Sequence, residues 1–376
     1  MSGLALRADP TTGFTQVVGV GGVGTGSIFA LQGNQTLGRN ESRMAQLLDA
    51  RDYCKLHIVQ HYIAALMGSK YSPDLFRVFA VGNVGDDAAG ATLLQEMNDA
   101  GIDVRYVNIN SKCRTLFSVS FLYPDKSGGN ITASNSAAST LSSSQLSQCR
   151  PDLLSAADRG IALCLPEVPM EARQEFLRIS TECGSYRVAS FTSAEMPIVR
   201  NLNVLSQVDL LALNRDETAA IASSLHAGAV EDELLDACAA VAMAANPKIR
   251  IISSEGAGGV HLFDQGAWSH YKAISSEVIS TAGAGDALLA GIIAGLSAGL
   301  PLANPKDDNL HKTSEIDSAI GLGLALAAMS ITSPHTIHPG IDLESLLTFV
   351  RAKEIGLSPA LQNKCFDGAA LQNRSV

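Results

Sequence analysis

The sequence predicts an α/β fold in which a central, mostly parallel sheet carries helices on both faces. From residue 158 onward, short apolar segments alternate with longer segments of helical periodicity, which is typical of parallel strands joined by crossover helices. Hydrophobic residues make up 46% of the 376-residue chain and charged residues only 17%, so we expect an extensive buried core. The length suits one large domain or two smaller ones.

The chain before residue 158 contains predicted helices and several strands. A helix over residues 52–66 is predicted because Leu56, Val59, Ile63 and Leu66 share one apolar face. The other elements, in chain order, are strands at 17–20 and 78–81, a helix at 91–100, and strands at 102–109 and 115–122, the last followed by a hairpin turn at 123–129.

The C-terminal half shows the strand–helix alternation most clearly. The predicted strands are 160–165, 187–191, 210–213, 249–253 and 260–263, and the predicted helices are 170–182, 217–225 and 231–245. Crossover connections between parallel strands should be right-handed. Ligands of such sheets gather at the carboxyl ends of the strands, so we expect the functional site at that edge.

The composition argues against several classes of partner. A net charge of −10 disfavours nucleic acid and anionic membrane surfaces, because both require a basic face. The seven cysteines are scattered and form no Cys-x-x-Cys pair, which favours free thiols in a reducing compartment. Residues 1–10 lack the build of a signal peptide, and the apolar segment 288–300 is too short to span a bilayer. We therefore expect a cytoplasmic protein.

One glycine pattern suggests a nicotinamide cofactor. Gly19, Gly21 and Gly24 have the Gly-x-Gly-x-x-Gly spacing of a dinucleotide-binding turn. That turn requires a helix opening at its third glycine, whereas residues 25–34 are predicted to be extended and then turn-like. No ribose-binding acidic residue closes a second strand about 20 residues further on. A dinucleotide enzyme is therefore a third-ranked hypothesis.

The chain's most informative functional pattern spans residues 279–287, ahead of a long apolar helix. Gly283 and Gly285 permit a sharp turn with backbone amides close to a ligand, because neither carries a Cβ. Amides at a helix start lack intrahelical partners and the helix dipole adds positive charge, so this turn is typical of an anion site. Asp286 follows in the first helical turn. It either stabilises the helix dipole or acts as a general base for a hydroxyl that attacks a phosphoryl group.

This segment resembles the Asp-Thr-x-Gly-Ala-Gly-Asp signature of the ribokinase-like (PfkB) carbohydrate kinase family. Ser280 replaces the first Asp of the signature, and the matching residues are Thr281, Gly283, Ala284, Gly285 and Asp286. The resemblance implies that Asp286 is the catalytic base and that the amides of 283–286 stabilise charge on the transferring phosphoryl group. Residues 82–90 are similar to the family's Gly-x-x-Gly-Asp-Asp-x-x-Gly segment, which mainly builds the fold.

Two further segments resemble motifs that contact the nucleotide in this family. Asn214 and Glu217 can hold a hydrated Mg²⁺ from one face, or they can form a helix cap with an acidic first turn. They resemble the family's Asn-x-x-Glu motif, which implies that they position Mg²⁺, through water, and the phosphates of ATP. Residues 253–258 resemble the family's Thr-x-Gly-x-x-Gly turn, although Glu255 stands where a glycine is usual. The remaining nucleotide-binding residues implied in this way are Ser253, Gly256, Gly258 and Thr281.

The acceptor side departs from the family pattern. Family members carry an Asp after the first strand, where this chain has residues 24–26, and a Gly-Gly-x-x-x-Asn run, which aligns with residues 54–59. Either the polar loop 34–43 replaces those contacts, or the acceptor is not an ordinary free sugar. These segments contain the basic residues Arg39, Arg43, Lys55 and His57. Together they would suit an acceptor that bears a phosphate or carboxylate. The candidate acceptor-binding residues are Asn34, Arg39, Asn40, Lys55 and His57.

The resemblance covers most of residues 15–350 and implies a single ribokinase-like domain over 1–376, with a small β lid near 26–45 and 113–131. The implied function is ATP-dependent phosphorylation of a hydroxyl on a sugar or sugar-like small molecule, with a nucleoside or a sugar phosphate as alternative acceptors. The family pattern leaves a monovalent cation and a homodimer open. A second hypothesis is a catalytically silent ligand-binding relative, prompted by the missing sugar contacts and by Glu255.

Overall fold

The computed structural model describes residues 3–125, 127–222, 231–304 and 315–367. The strands are β1 (Leu4–Leu6), β2 (Gln16–Val20), β3 (Gly24–Leu31), β4 (Ala45–Tyr53), β5 (Arg77–Gly85), β6 (Ile102–Asn110), β7 (Leu116–Leu122), β8 (Gly128–Thr132), β9 (Gly160–Cys164), β10 (Tyr186–Ser190), β11 (Leu210–Asn214), β12 (Arg250–Ser254), β13 (Val260–Asp264), β14 (Ala267–Tyr271), β15 (Glu315–Ile316), β16 (Gly356–Leu357) and β17 (Cys365–Asp367). The helices are α1 (Lys55–Met67), α2 (Ala88–Asp99), α3 (Ser143–Leu146), α4 (Arg150–Ala156), α5 (Met170–Glu182), α6 (Met196–Asn201), α7 (Arg215–Ala222), α8 (Glu231–Ala245), α9 (Ala284–Ser297), α10 (Ala319–Ser330), α11 (Leu343–Ala352) and α12 (Pro359–Gln362).

A nine-stranded sheet forms the centre of the fold, in the order β14-β13-β12-β11-β10-β9-β2-β5-β6. The strands from β12 to β6 pair in parallel, and β13 and β14 are added antiparallel at one edge. Every residue of β2 and β9 is buried, as expected for parallel strands covered on both faces. The predicted α/β class and mostly parallel sheet are thus confirmed.

Two apolar layers hold helices against the opposite faces of this sheet. One layer packs α1, α9, α10 and α11 against it, through side chains such as Leu56 and Ile292. The other packs α5, α7 and α8 against it, through side chains such as Phe176 and Ile221. Gly291 of α9 meets α10 so closely that an added Cβ would lie 2.6 Å from Gly323 Cα. This contact anchors α9 in the core and so positions its N-terminal turn.

A second sheet has four strands, in the order β4-β3-β7-β8. We call it the lid after the sequence prediction for these segments. Strand β3 pairs in parallel with β7 and antiparallel with β4, and β7 and β8 form the predicted hairpin. Across β3, the Asp52 carboxylate of β4 accepts a hydrogen bond from the Ser120 hydroxyl of β7 at 2.7 Å. The segments 26–45 and 113–131, where the sequence predicts a lid, contain β7 and most of β3 and β8, whereas β4 lies outside them except for Ala45.

Several sequence predictions differ from the structure. The helix predicted from residue 52 begins at Lys55, because Asp52 and Tyr53 pair with β3 in the lid. Strands β1, β4, β14, β15, β16 and β17 were not predicted from the sequence. The helix predicted at 217–225 is α7, which begins two residues earlier, and residues 223–225 lie outside the described ranges.

The glycine pattern at 19–24 connects two strands, since β3 begins at Gly24 where a dinucleotide-binding turn would open a helix. The pyrophosphate of a dinucleotide cofactor binds at a helix N-terminus, and here a strand takes the place of that helix. The dinucleotide hypothesis is therefore wrong. Within the described ranges, no helix is both long and apolar enough to cross a membrane.

Candidate active site

A topological switch in the central sheet creates the candidate site. Strand β2 lies between β9 and β5, so the chain leaves β2 toward one side of the sheet and later returns to its other side. The connections that follow these strands diverge there and open a crevice at their carboxyl ends. The segments after β11 and β12 and the N-terminus of α9 reach the same edge.

The turn before α9 requires a glycine at position 283. Gly283 has a φ of +79° and caps the helix, and an added Cβ would lie 2.7 Å from the Thr336 carbonyl oxygen. Its carbonyl accepts the Ala287 amide at 2.8 Å, while the Ala284 amide donates to the Thr281 carbonyl at 3.2 Å. A Cβ added at Gly285 would meet nothing within 4 Å. The first turn of α9 therefore presents an open face at Gly285.

A cavity of about 70 Å³ lies in front of this turn. It brings together side chains from segments far apart in the sequence, among them Lys55 of α1, Asn214 at the end of β11, Glu217 of α7 and Asp286 of α9. Two carboxylates and one ammonium group thus share a small cleft at the start of a helix.

The carboxylate of Asp286 has an unusual proton affinity. Burial raises the pKa of Asp286 to about 6, with the Lys55 ammonium acting in the opposite direction and the Glu217 and Asp52 carboxylates adding to the increase. A carboxylate with a pKa near 6 remains ionised at neutral pH and is a stronger base than an ordinary Asp.

Lys55 supplies the positive charge of the cleft. Its Nζ lies 3.7 Å from Glu217 Oε1. Burial alone would lower the pKa of Lys55, but the Asp286 and Glu217 carboxylates outweigh it and raise the pKa above its usual value. Lys55 is therefore protonated and partly offsets the two acidic groups.

Asn214 and Glu217 cap α7 reciprocally. The Glu217 amide donates to Asn214 Oδ1, and the Asn214 amide donates to Glu217 Oε2, both at 2.8 Å. This arrangement is the helix cap that the sequence allowed as an alternative to a metal role. It leaves Glu217 Oε1 facing the cavity beside Lys55, and burial raises the pKa of Glu217.

Mg²⁺ fits the donor set of this cavity. The ion prefers oxygen ligands and usually keeps several waters, so it is commonly held by one or two carboxylates together with substrate phosphates. Asp286 and Glu217 offer two carboxylates in one cleft, and Asn214 lies beside them with its side-chain oxygen engaged in the cap.

The turn after β12 contains the other predicted nucleotide contacts. Ser253 is buried, and its hydroxyl lies 2.7 Å from that of Thr218, so it faces the core. Its neighbour Ser254, which was not singled out from the sequence, lines the cavity instead. Gly256 and Gly258 are exposed in the following turn, as is Thr281 ahead of α9.

The predicted acceptor-binding residues are dispersed. Asn34, Arg39 and Asn40 are exposed in the loop between β3 and β4. Lys55 lines the cavity in front of α9, whereas His57 lines a different cavity, of about 370 Å³. His57 is 1% exposed, and burial lowers its pKa to about 3. The structure therefore does not bring Arg39, Lys55 and His57 together around one acceptor.

Sequence reasoning missed Glu167, which follows β9 at the switch point. Its φ is +75°, and a Cβ added at Gly22 would lie 2.5 Å from Glu167 Cβ. Burial raises the pKa of Glu167 to about 7, while Cys54 and Lys55 lower it and Asp286 adds to the increase. The available signal was an acidic residue directly after an apolar strand, which is common and therefore weak.

Comparisons with known proteins identify the family and the fold. A family model described as pfkB family carbohydrate kinase matches residues 61–342. Among curated proteins, the bifunctional protein HldE of Methylobacillus flagellatus is 26% identical over 227 residues, which is 59% of this chain and 44% of that protein. The chain thus spans less than half the length of this relative.

Solved structures share the fold at low sequence identity. Ribokinase from Giardia lamblia matches with a TM-score of 0.69 and 13% identity, covering 89% of this chain and 99% of its own. Ribokinase from Cryptococcus neoformans, in complex with ADP, matches with a TM-score of 0.66 and 17% identity over the same shares. A Burkholderia thailandensis nucleoside kinase in complex with inosine matches with a TM-score of 0.65 and 15% identity, covering 90% and 99%.

These structural similarities show a ribokinase-like fold, as the sequence pattern predicted. The family model matches well over half of the sequence, from within α1 to the start of α11. It includes the turn before α9 and the residues that line the cavity, except Lys55. The chain therefore belongs to the pfkB family of carbohydrate kinases.

Proposed function

We propose that this chain transfers a phosphoryl group from ATP to a hydroxyl of a sugar or sugar-like small molecule, with Asp286 as the general base. The observation that carries the proposal is the position of Asp286 at the N-terminus of α9, in a cleft shared with Lys55 and Glu217. A base of raised pKa next to helix-start amides is the combination that hydroxyl attack on a phosphoryl group requires.

Each group in the cleft has a defined task in this reaction. Asp286 accepts the proton of the attacking hydroxyl, which contributes roughly 10²–10⁴-fold to the rate. The amides of Gly283, Ala284 and Gly285 face the charge that develops on the transferring group, although the Ala284 amide must exchange its bond to Thr281 for that purpose.

Two observations support the proposed nucleotide site. They are the oxygen ligands that the cavity offers to Mg²⁺ and one structurally similar kinase that contains ADP. Asn214 and Glu217 would hold Mg²⁺ through water, and the ion would neutralise charge on the phosphates. The Cryptococcus ribokinase, whose structure contains ADP, supports a nucleotide site in this fold. Gly256 and Gly258 are exposed after β12 and Thr281 is exposed ahead of α9, so we propose these residues as contacts for the nucleotide phosphates.

The acceptor would bind between the lid and the carboxyl end of β9. Glu167 and Asp52 are the acidic groups there, and both influence the charges around Asp286 or Lys55. Carboxylates pair well with sugar hydroxyls, so these two residues are our candidates to replace the Asp and Asn of the family pattern that this chain lacks. Lys55 additionally favours an acceptor that carries a phosphate or carboxylate.

The decisive variant is Asp286→Asn. It preserves the size of the side chain, so we expect nucleotide binding to be retained while turnover falls by roughly 10²–10⁴-fold. Turnover is measured as ADP release with sugars, sugar phosphates and nucleosides as acceptors, and nucleotide binding is measured by calorimetry. Near-normal turnover in this variant would refute the role of Asp286.

The second candidate function is a silent ligand-binding relative. Asn214 Oδ1 and Glu217 Oε2 already accept hydrogen bonds in the α7 cap, which leaves fewer oxygen atoms for Mg²⁺. Glu255 also places a carboxylate in the turn that the family uses for nucleotide phosphates. Both features favour this second function. Binding of ATP without turnover on any member of the acceptor panel would support it. The monovalent cation, the homodimer and the cytoplasmic location remain predictions.

A further inference from the structure

Three potential metal ligands converge at the edge of the central sheet, outside the cleft. Glu255 begins the turn after β12, His261 lies on β13 and His270 lies directly opposite it on β14. The two imidazole rings are 4.5 Å apart between centroids, and His261 Nε2 lies 3.1 Å from Glu255 Oε2. One ligand atom from each residue lies within 4.8 Å of the other two, and all three side chains are partly buried.

The donor set and the spacing are those of a zinc-type site. Two imidazole nitrogens and one carboxylate oxygen form a common ligand set for Zn²⁺. Ligand atoms on one tetrahedral ion lie about 3.4 Å apart, given bonds of about 2.1 Å. Glu255 and His261 already lie close to that spacing, and a potential ligand atom of His270 lies within 4.8 Å of both.

We infer that Glu255, His261 and His270 form a binding site for a divalent transition metal ion of the zinc class, with water in the fourth position. The backbone supports this arrangement. Pairing of β13 with β14 fixes the two histidines side by side, and the Glu255 amide and carbonyl are bonded to Gly259 and Gly258 at 2.9 and 3.1 Å.

The ion would stiffen the turn at 256–258. The His270 Nε2 lies 2.9 Å from the Gly258 carbonyl, and a Cβ added at Gly258 would lie 2.9 Å from Glu255 Oε2. The Glu255 side chain thus folds across the turn, and a bound cation connects that turn to β13 and β14. It also neutralises a carboxylate that otherwise repels anions. Metal binding itself does not depend on the proposed kinase function.

The test is a Co²⁺ titration of the metal-free chain, followed by visible absorption and calorimetry. We expect one ion per chain, and we expect Zn²⁺ to displace it and raise the melting temperature. The double variant H261N/H270N should lose at least about 100-fold in affinity, since losing even an outer-shell partner costs roughly 10–100-fold. H338N is the matched control, because His338 lies outside the cluster and Asn can still accept the Gly340 amide.

Two outcomes would overturn the inference. One is Co²⁺ affinity in H261N/H270N equal to that of the parent chain, with circular dichroism showing both to be folded. The other is a thiolate-to-Co²⁺ charge-transfer band that disappears when the partly exposed Cys113 and Cys365 are replaced by Ser. Should the double variant fail to fold, E255Q provides the same comparison, since it removes the charged ligand and leaves both strands unchanged.

Discussion

At the residue scale, the properties of Asp286 depend on its charged neighbours. Burial disfavours its ionised form, Lys55 favours it, and Glu217 and Asp52 oppose it. An isolated Asp in a first helical turn would only stabilise the helix dipole. The sequence identified Asp286 through its motif, but its raised pKa depends on side chains from three other segments.

The pKa of Asp286 predicts the acid limb of the activity profile. A base acts when it is deprotonated, so kcat/KM should be constant above pH of about 6 and fall about tenfold per pH unit below it. The measurement is kcat/KM between pH 4.5 and 8, at constant ionic strength, with stability checked at each pH. An activity that stays flat down to pH of about 4.5 would contradict the assignment of Asp286.

Lys55 tests the electrostatic argument independently. Its ammonium lowers the pKa of Asp286, so Lys55→Met should move the acid limb to higher pH, whereas Lys55→Arg should leave it near its original position. The same pH profile measures both variants. An unchanged limb in Lys55→Met would mean that Lys55 acts only on ligands and not on the base.

At the element scale, the two glycines in the N-terminal turn of α9 have different roles. Gly283 adopts a positive φ against the Thr336 carbonyl, whereas Gly285 lies in the helix with open space beside it. The sequence predicted both as members of one amide cradle. Only the backbone conformation distinguishes the glycine that the turn requires from the one that keeps the cavity open.

A pair of alanine substitutions measures this difference. Gly283→Ala should lower the free energy of unfolding by about 1–3 kcal/mol. Alanine would be strained at the positive φ of this position, and its Cβ would also clash with the Thr336 carbonyl. Gly285→Ala should be neutral, or stabilise by up to about 1 kcal/mol, because alanine favours a helix over glycine. Urea unfolding monitored by circular dichroism measures both. Equal losses in the two variants would contradict the account of the turn.

At the scale of the whole molecule, the switch between β9 and β5 brings the lid, α9 and the segments after β11 and β12 to one edge. The lid follows β2 directly, and the Asp52–Ser120 hydrogen bond connects its strands near the cleft. Closure of such a lid over bound substrates would exclude water and protect ATP from hydrolysis.

Ligand binding to this edge should stabilise the entire fold. A non-hydrolysable ATP analogue with Mg²⁺, present at 100 times its dissociation constant, should add about 2.7 kcal/mol to the free energy of unfolding. Differential scanning fluorimetry measures the corresponding increase in melting temperature, with NAD as the control. A shift with NAD as large as that with the ATP analogue, or no shift with the analogue, would contradict a specific ATP site at this edge.

Local patterns in the sequence determined the α/β class, most strands of the central sheet, several of the helices, and the turn with Asp286, because periodicity and glycine spacing act over a few residues. The tertiary structure decided the composition of the cleft. Lys55 and Glu217 share a cavity with Asp286 only because the sheet order places their distant segments at one edge, and the charge of Asp286 also acts on Glu167. His57 lines another cavity, although it belongs to the same helix as Lys55. Proton affinities follow from that packing, since burial and neighbouring charges exist only after the chain has folded.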